Sequence, residues 1–247
     1  MGTALREVRA EIIANDVIAR DVYELCLKLP EQVDFRPGQF VNIEVPGFFL
    51  KRPISVCDVD GEILILVYKV FGQGTARLAT FTPGERLNLL LPLGKGFEVN
   101  PDAERPALAG GGVGTPPLYF LAKELIAAGQ KPVVTLGFAS KDDVFYADRF
   151  RGLGLDVHIA TVDGTEGTQG FVTGPLADAK PDYVYCCGPN PMLHSIHDLG
   201  LDGQYSFEER MGCGFGACMG CPHPTTDGGY SRICVEGPVL VKEQIKW

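Results

Sequence analysis

Four cysteines near the C-terminus, Cys213, Cys218, Cys221 and Cys234, constrain this chain more than any other feature. Their spacing is Cys213-x4-Cys218-x2-Cys221, with Cys234 twelve intervening residues later. The first part is the plant-type spacing of a [2Fe–2S] centre, in which four thiolates converge on two irons. The residues between them, Gly214, Phe215, Gly216, Ala217, Met219 and Gly220, are mostly small. Such a loop can wrap a cluster and aim its N–H groups at sulfur. Structural zinc usually arrives as paired C-x2-C knuckles, and only one such pair exists here. Disulfides are not expected, because Met1 to Val8 shows no apolar export segment. His223 lies close by, but a Rieske-like centre needs two histidines. With all four thiols present, His223 is expected to be a loop residue.

The chain holds eight cysteines in all. Cys26 and Cys57 stand singly in strand-like apolar contexts and read as buried free thiols, and Cys186 and Cys187 are adjacent at a strand end. A formal net charge of −9 argues against a nucleic-acid partner, since phosphate binding needs clustered Lys and Arg. Lys51-Arg52-Pro53 is too short to be a basic patch. No apolar run reaches the ~18 residues of a membrane span, so no membrane is expected and a cytoplasmic location follows by default. The 31 Gly and 18 Pro fit either cofactor-bearing loops or a hairpin-rich β fold.

The first hundred residues read as short strands. Val8 to Ile13, Val22 to Leu29, Gln39 to Val45 and Ile63 to Tyr68 are rich in β-branched and aromatic residues. Turn signals such as Arg36-Pro37-Gly38, Asp60-Gly61 and Thr82-Pro83-Gly84 separate them, which predicts a small antiparallel barrel. Only Thr75 to Thr80 reads as helical. Beyond Asn100 the pattern alternates. Pro106 to Ala109 is a short buried strand, Pro116 to Ala128 a helix with Pro at its start, and Pro132 to Phe138, Val157 to Thr161 and Tyr183 to Cys187 are further strands. That alternation predicts an open, doubly wound parallel sheet, with Tyr183 to Cys187 as its last strand. The remainder, Gln204 to Trp247, is short and Gly- and Cys-rich. It is expected to need a bound metal or cluster to staple it.

Arg52-Pro53-Ile54-Ser55 is expected to follow a barrel strand, with Arg52 able to fix a pyrophosphate and Ser55 to reach a flavin ring. Taken alone, the tetrapeptide is better read as a surface Arg, and Tyr68 as a core residue. It gains weight from Val67-Tyr68-Lys69 on the next strand and from Gly74-Thr75 at the short helix, where a phosphate could sit. A second phosphate-type loop, Gly110-Gly111-Gly112-Val113-Gly114-Thr115, follows a buried strand without the full G-x-G-x-x-G fingerprint. Cys187-Gly188-Pro189-Asn190-Pro191-Met192 opens a helix after the last strand. Both segments fall at strand carboxyl ends, where open α/β sheets bind ligands. Asp142 and Asp143 after the second strand would favour NAD over NADP by bonding a ribose hydroxyl.

Taken in order, these motifs resemble the ferredoxin–NADP reductase superfamily. More narrowly, Glu208-Glu209-Arg210-Met211-Gly212-Cys213 through Cys221, and Cys234-Val235-Glu236-Gly237-Pro238-Val239, are similar to the electron-transfer subunits of NAD-dependent (class 1B) dihydroorotate dehydrogenases. The resemblance covers essentially the whole chain. It implies a β plus α/β fold: an antiparallel six-stranded flavin-binding barrel over 1–100, an open parallel-sheet nicotinamide-binding domain over 101–203, and a small [2Fe–2S] domain over 204–247. It implies FAD at Arg52, Pro53, Ile54, Ser55, Val67, Tyr68, Lys69, Gly74 and Thr75. It also implies NAD as co-substrate near Gly111, Gly112, Gly114, Cys187, Gly188 and Pro189, and the cluster on the four cysteines. The family often has Arg where Lys69 stands, which weakens a bidentate contact here. Pro222-His223-Pro224 also departs from the family. The partner so implied is an FMN-containing catalytic subunit that oxidises dihydroorotate, in a heterotetramer, with electrons reaching NAD+ through cluster and FAD. The alternatives are an NAD(P)H–ferredoxin oxidoreductase or hydrogenase diaphorase subunit, or a regulatory module whose cysteines hold zinc.

Overall fold

The computed structural model describes residues 4–247. Residues 1–3, part of the stretch read for an export signal, lie outside the described residues. Six strands close an antiparallel barrel: β1 (Arg6–Ala19), β2 (Val22–Lys28), β3 (Phe40–Ile43), β4 (Arg52–Asp60), β5 (Ile63–Lys69) and β6 (Arg86–Leu93), in the order β1-β2-β5-β4-β3-β6. Alternation along the strands builds it. On β5, Leu64, Leu66 and Tyr68 fill the barrel core, while Ile65 and Val67 turn outward. Leu87, Leu89 and Leu91 of β6 join that core, each stabilising it by about 1.5–3 kcal/mol. Helix α1 (Gln73–Leu78) follows β5, two residues earlier than Thr75 to Thr80. Arg52 to Ser55 follows β3 in the chain and itself forms the first part of β4.

The second half is a seven-stranded sheet. In chain order it runs β7 (Pro106–Gly111), α2 (Thr115–Ala127), β8 (Val133–Phe138), α3 (Ala147–Gly152), β9 (Val157–Thr161), β10 (Thr168–Gln169), α4 (Thr173–Ala179), β11 (Tyr183–Cys187), α5 (Asn190–His197) and β12 (Gly203–Ser206). A small hairpin, β13 (Pro222–Pro224) and β14 (Tyr230–Arg232), precedes β15 (Val239–Val241). The spatial order is β10-β9-β8-β7-β11-β12-β15, parallel except for the edge strand β15. The chain winds outward from β7 to β10 and then returns to place β11 on the other side of β7. The order therefore reverses between β7 and β11, and a crevice opens at their carboxyl ends.

Two expectations need correction. Tyr183 to Cys187 is not the last strand, because β12 and β15 extend the sheet. The C-terminal segment is also not stapled by a metal or cluster alone. Tyr205, Phe207, Ile233, Leu240 and Ile245 share a core with Phe40 and Leu93 of the barrel and with Val184, Leu193 and Ile196 of the sheet.

Two patches of the barrel's outer surface are thus covered. Val22, Cys57 and Val67 pack on the sheet domain, and Phe40 and Leu93 on the C-terminal segment. Polar contacts tie the first of these interfaces. Lys123 Nζ bonds both carboxylate oxygens of Asp58 at 2.7 and 2.9 Å, and Tyr146 donates to Glu24 at 2.5 Å, with Arg149 bonding the same carboxylate at 2.9 Å. Cys57 is buried, as expected of a free thiol, whereas Cys26 is half-buried. No helix among the described residues is long and apolar enough to cross a membrane.

Candidate functional site

At the barrel rim, Arg52 is held from two sides. Its Nη1 donates to the Leu50 carbonyl, and its Cζ lies 5.0 Å from the centre of the Phe48 ring. The guanidinium then crosses Gly74 so closely that a Cβ there would fall 2.1 Å from Nε and 2.2 Å from Nη2. Glycine at 74 makes room for the arginine, and Nε and Nη2 make no bond within the described residues. Thr75 Oγ1 accepts from the Phe71 N–H at 2.7 Å and closes the turn before α1. Pro53, Ile54 and Ser55 continue β4 beside this cradle. Tyr68 points the other way. It stacks on Tyr23 at 5.5 Å inside the barrel and donates to Asn15 at 2.9 Å, which leaves its peptide groups rather than its ring for a ligand.

The crevice between β7 and β11 is a cavity of about 560 Å³. Gly111, Gly112 and Gly114 line one side, Gly188, Pro189 and Met192 the other. Close contact acts at Gly111, Gly114 and Gly188, whereas Gly112 has φ +51 and no atom within 4 Å of a Cβ. A Cβ on Gly111 would lie 2.5 Å from Met192 Sδ, one on Gly188 2.5 Å from Met192 Cε, and one on Gly114 2.2 Å from the Cys187 carbonyl oxygen. Gly114 has φ −78, so its backbone would accept alanine and only the contact forbids it. Gly114→Ala is therefore expected to cost about 1–3 kcal/mol by overpacking, checked by thermal melting. An unchanged melting temperature would refute that packing account.

All three parts of the chain reach this cavity. Val22 and Lys69 come from the barrel, the glycine loops from the sheet, and Glu208 from the start of the C-terminal segment. Solvent reaches Glu208 through the cavity, yet the surrounding walls desolvate its carboxyl and push its pKa up. Cys187 is buried, and burial followed by the nearby Glu208 pushes its thiol up to about 12, so it stays protonated and unreactive. Asp143 corrects a sequence expectation. Its carboxylate accepts from Arg20 Nε at 3.1 Å and from Ser140 Oγ at 3.0 Å, with Lys69 Nζ at 3.9 Å. It is committed to joining the β1–β2 hairpin and β5 to the sheet, and is not a free acceptor for a ribose. Met192 closes the Cys187–Met192 segment that the sequence places at a strand carboxyl end, whereas Glu208 was missed as a cavity residue, because a long-range crossing brings it there.

The four cysteines meet as two pairs. Cys213 and Cys218 Sγ lie 3.3 Å apart, and Cys218 N–H points to Cys213 Sγ at 3.4 Å. Cys221 and Cys234, both buried, interact with each other. Burial opposes ionisation of Cys213, but hydrogen bonds from the backbone of Phe215 and Cys218, with further help from Gly216, outweigh it and bring the thiol down to about 6. Burial and the neighbouring Cys221 push Cys234 up to about 12. Two pairs are what two irons need, each taking two protein thiolates. The donor set fits [2Fe–2S]. Asn42 of β3 anchors this loop to the barrel through Nδ2 and the Cys213 carbonyl at 3.3 Å. Gly214, with φ +75, leaves the space its amide occupies: a Cβ there would fall 2.0 Å from Nδ2.

Comparison with known proteins agrees with this geometry. Residues 208–246 match a family model described as the iron-sulfur cluster binding domain of dihydroorotate dehydrogenase B. The chain is 40% identical over 252 residues to the dihydroorotate dehydrogenase B (NAD(+)), electron transfer subunit of Lysinibacillus sphaericus, covering 96% of this chain and 98% of that protein. It is 43% identical over 251 residues to the same subunit of Bacillus cereus strain G9842, covering 93% and 94%. Among solved structures, an NADH-dependent reduced ferredoxin-NADP oxidoreductase studied for flavin-based electron bifurcation superposes with TM-score 0.88 at 29% identity, over 100% of this chain and 91% of that one. Phthalate dioxygenase reductase shares the fold, with TM-score 0.68 at 19% identity over 91% of this chain and 75% of that one.

Proposed function

The chain belongs to the family of dihydroorotate dehydrogenase B electron-transfer subunits, and from that premise we propose that it passes electrons from a partner's FMN through [2Fe–2S] and FAD to NAD+. The partner is the FMN-containing catalytic subunit, which oxidises dihydroorotate in pyrimidine biosynthesis, and the assembly is a heterotetramer in the cytoplasm. One observation carries the reading: Val22 and Lys69 of the barrel, the glycine loops of the sheet and Glu208, just before the cysteine loop, line the same cavity. A shared cavity of this kind supports bringing successive redox centres together. The working units are 1–100 for FAD, 101–203 for NAD and 204–247 for the cluster.

FAD, when bound, interconverts the single electrons of a cluster and the hydride of NAD, which neither can do alone. The chain's own residues bind and orient. Arg52 presents two free donors to a pyrophosphate beside Gly74 and Thr75, while Pro53, Ile54, Ser55, Val67 and Tyr68 offer strand edges to the flavin. Lys69 stands nearer Asp143 and the nicotinamide cavity, where it is the one basic residue lining the wall among the described residues. A 2′-phosphate needs more positive charge than that, which supports NAD over NADP. Gly111, Gly112, Gly114, Cys187, Gly188 and Pro189 let the dinucleotide approach the backbone. Cys213, Cys218, Cys221 and Cys234 hold the cluster.

The test is anaerobic purification with iron, sulfide and flavin analysis, followed by turnover. The isolated chain is expected to be brown, to bind FAD and to oxidise NADH with ferricyanide, but to reduce NAD+ from dihydroorotate only with the FMN subunit. A colourless, zinc-replete protein, or dihydroorotate oxidation by this chain alone, would overturn the reading. The similarity to the ferredoxin-NADP oxidoreductase favours a second reading with the same cofactors and another partner. Copurification with an FMN barrel protein or with a ferredoxin-linked one separates the two.

A further inference from the structure

Cys234 joins the other three thiols from a separate turn, and one residue knots that turn. The carbonyl of Arg232 accepts from the N–H groups of Val235 and Glu236 at 2.9 Å and of Gly237 at 3.3 Å. Its own N–H donates to Glu236 Oε2 at 2.8 Å. The guanidinium then leaves the turn, and Nη1 donates to the Gly216 carbonyl at 2.8 Å, inside the Cys213–Cys218 loop. Loop and turn touch at this point. Gly216 has φ +91, and a Cβ there would lie 2.6 Å from Val235 Cγ2. The same guanidinium is countered by Glu236, with Nε 3.2 Å from Oε2 and Nη2 2.6 Å from Oε1. It also lies within electrostatic reach of Cys234 and Cys221.

Reduction adds one electron, and so one negative charge, to a [2Fe–2S] centre, with no bond made or broken. A fixed cation nearby favours the reduced form and a fixed anion opposes it, in the way net charge and hydrogen bonding set such potentials. The two side chains are 31% and 38% exposed, so solvent screens them and a moderate effect is expected. We propose that Arg232 and Glu236 form a positioning pair for the cluster: Arg232 ties the Cys234 turn to the Cys213–Cys218 loop, and the two opposed charges set the reduction potential. This rests on the cluster reading above.

The opposed signs make the test. Wild-type protein, Arg232→Gln, Arg232→Lys and Glu236→Gln are titrated anaerobically with a mediated dithionite couple supplying the electron, with EPR of the reduced cluster as readout. Gln at 236 keeps an acceptor for the Arg232 N–H while removing the charge. Arg232→Gln is expected to shift the reduced-to-oxidised ratio at fixed poise about tenfold toward oxidised, which is about 59 mV for one electron. Glu236→Gln should shift it the other way, and Arg232→Lys should stay nearer wild type than Arg232→Gln. A role confined to holding the loop would move iron content and leave the potential of the loaded fraction alone. Shifts of the same sign in Arg232→Gln and Glu236→Gln, or none beyond about twofold (about 18 mV by the same conversion), would overturn the proposal. Should Arg232→Gln retain no iron, Glu236→Gln and Arg232→Lys decide by sign. Absence of iron and sulfide from the wild type would instead defeat the cluster reading itself.

Discussion

Cys218→Ser is expected to separate the two halves of the electron path. Cys218 Sγ sits 3.3 Å from Cys213 Sγ, and positions for a Cβ on Gly212 and Gly220 lie 3.4 and 3.3 Å from the same sulfur. The site is shaped around that atom. Serine offers a harder, poorly ionised oxygen on a shorter bond, which soft iron–sulfur ligation disfavours. Removing even an outer hydrogen-bond partner of a metal ligand costs about 10–100-fold in affinity or activity, so loss of the ligand itself should exceed about a hundredfold. NAD+ reduction with the FMN subunit should fall by at least that factor, and iron content with it. NADH oxidation by ferricyanide should stay within about threefold, because Arg52, Gly74 and the β7–β11 crevice lie on other elements and distant sites act nearly independently. Equal loss of both activities would mean that the cysteine segment holds up the flavin and nicotinamide sites instead of feeding them.

That independence has a limit visible in the fold. Tyr205 and Leu240 bring the C-terminal segment into the sheet's own core, and this was not legible in the sequence. Strands of four and three residues carry too little periodicity to be seen, and they form because β11 offers an edge to β12 and β12 in turn offers one to β15. Strands with a β-branched or aromatic signal were legible: Val157 to Thr161 and Tyr183 to Cys187 fall on β9 and β11 residue for residue. Strand β6 was not located, because its run of leucines carries no β-branched signal and Pro92 interrupts it. Pro53 likewise hid the start of β4. It is tolerated there because the ladder from β4 to β5 begins only at Val56.

The candidate site divides along the same line. The cysteine spacing is local, and its chemistry could be read directly. Asp143 could not be, since nothing near it in sequence announces that Arg20, 123 residues earlier, occupies its carboxylate. Glu208 was visible only as part of a family string. Its place in the cavity depends on β12 delivering it beside β11.

Arg52→Ala and Gly74→Ala are expected to weaken FAD binding by the same route, and their contrast is the stronger test. A hydrogen bond from a charged group contributes about 1.5–3 kcal/mol, so losing the guanidinium with its two donors should weaken FAD by about a hundredfold or more. A methyl group on Gly74 would collide with the guanidinium at 2.1–2.4 Å and swing it out of the cradle, with a similar loss although no ligand donor is removed. Generic damage would give a different signature. Gly74 lies inside α1, where alanine stabilises a helix by about 1 kcal/mol over glycine. A Gly74→Ala protein that melts no lower than wild type in its flavin-free form, yet binds FAD at least about tenfold more weakly by fluorescence quenching, isolates the displaced arginine as the cause. Arg52→Lys should fall between wild type and Arg52→Ala, because it keeps the charge and loses the fork. If Gly74→Ala bound FAD as tightly as wild type, Arg52 would have another place to reach its phosphate from, and the cradle described here would not be the one in use.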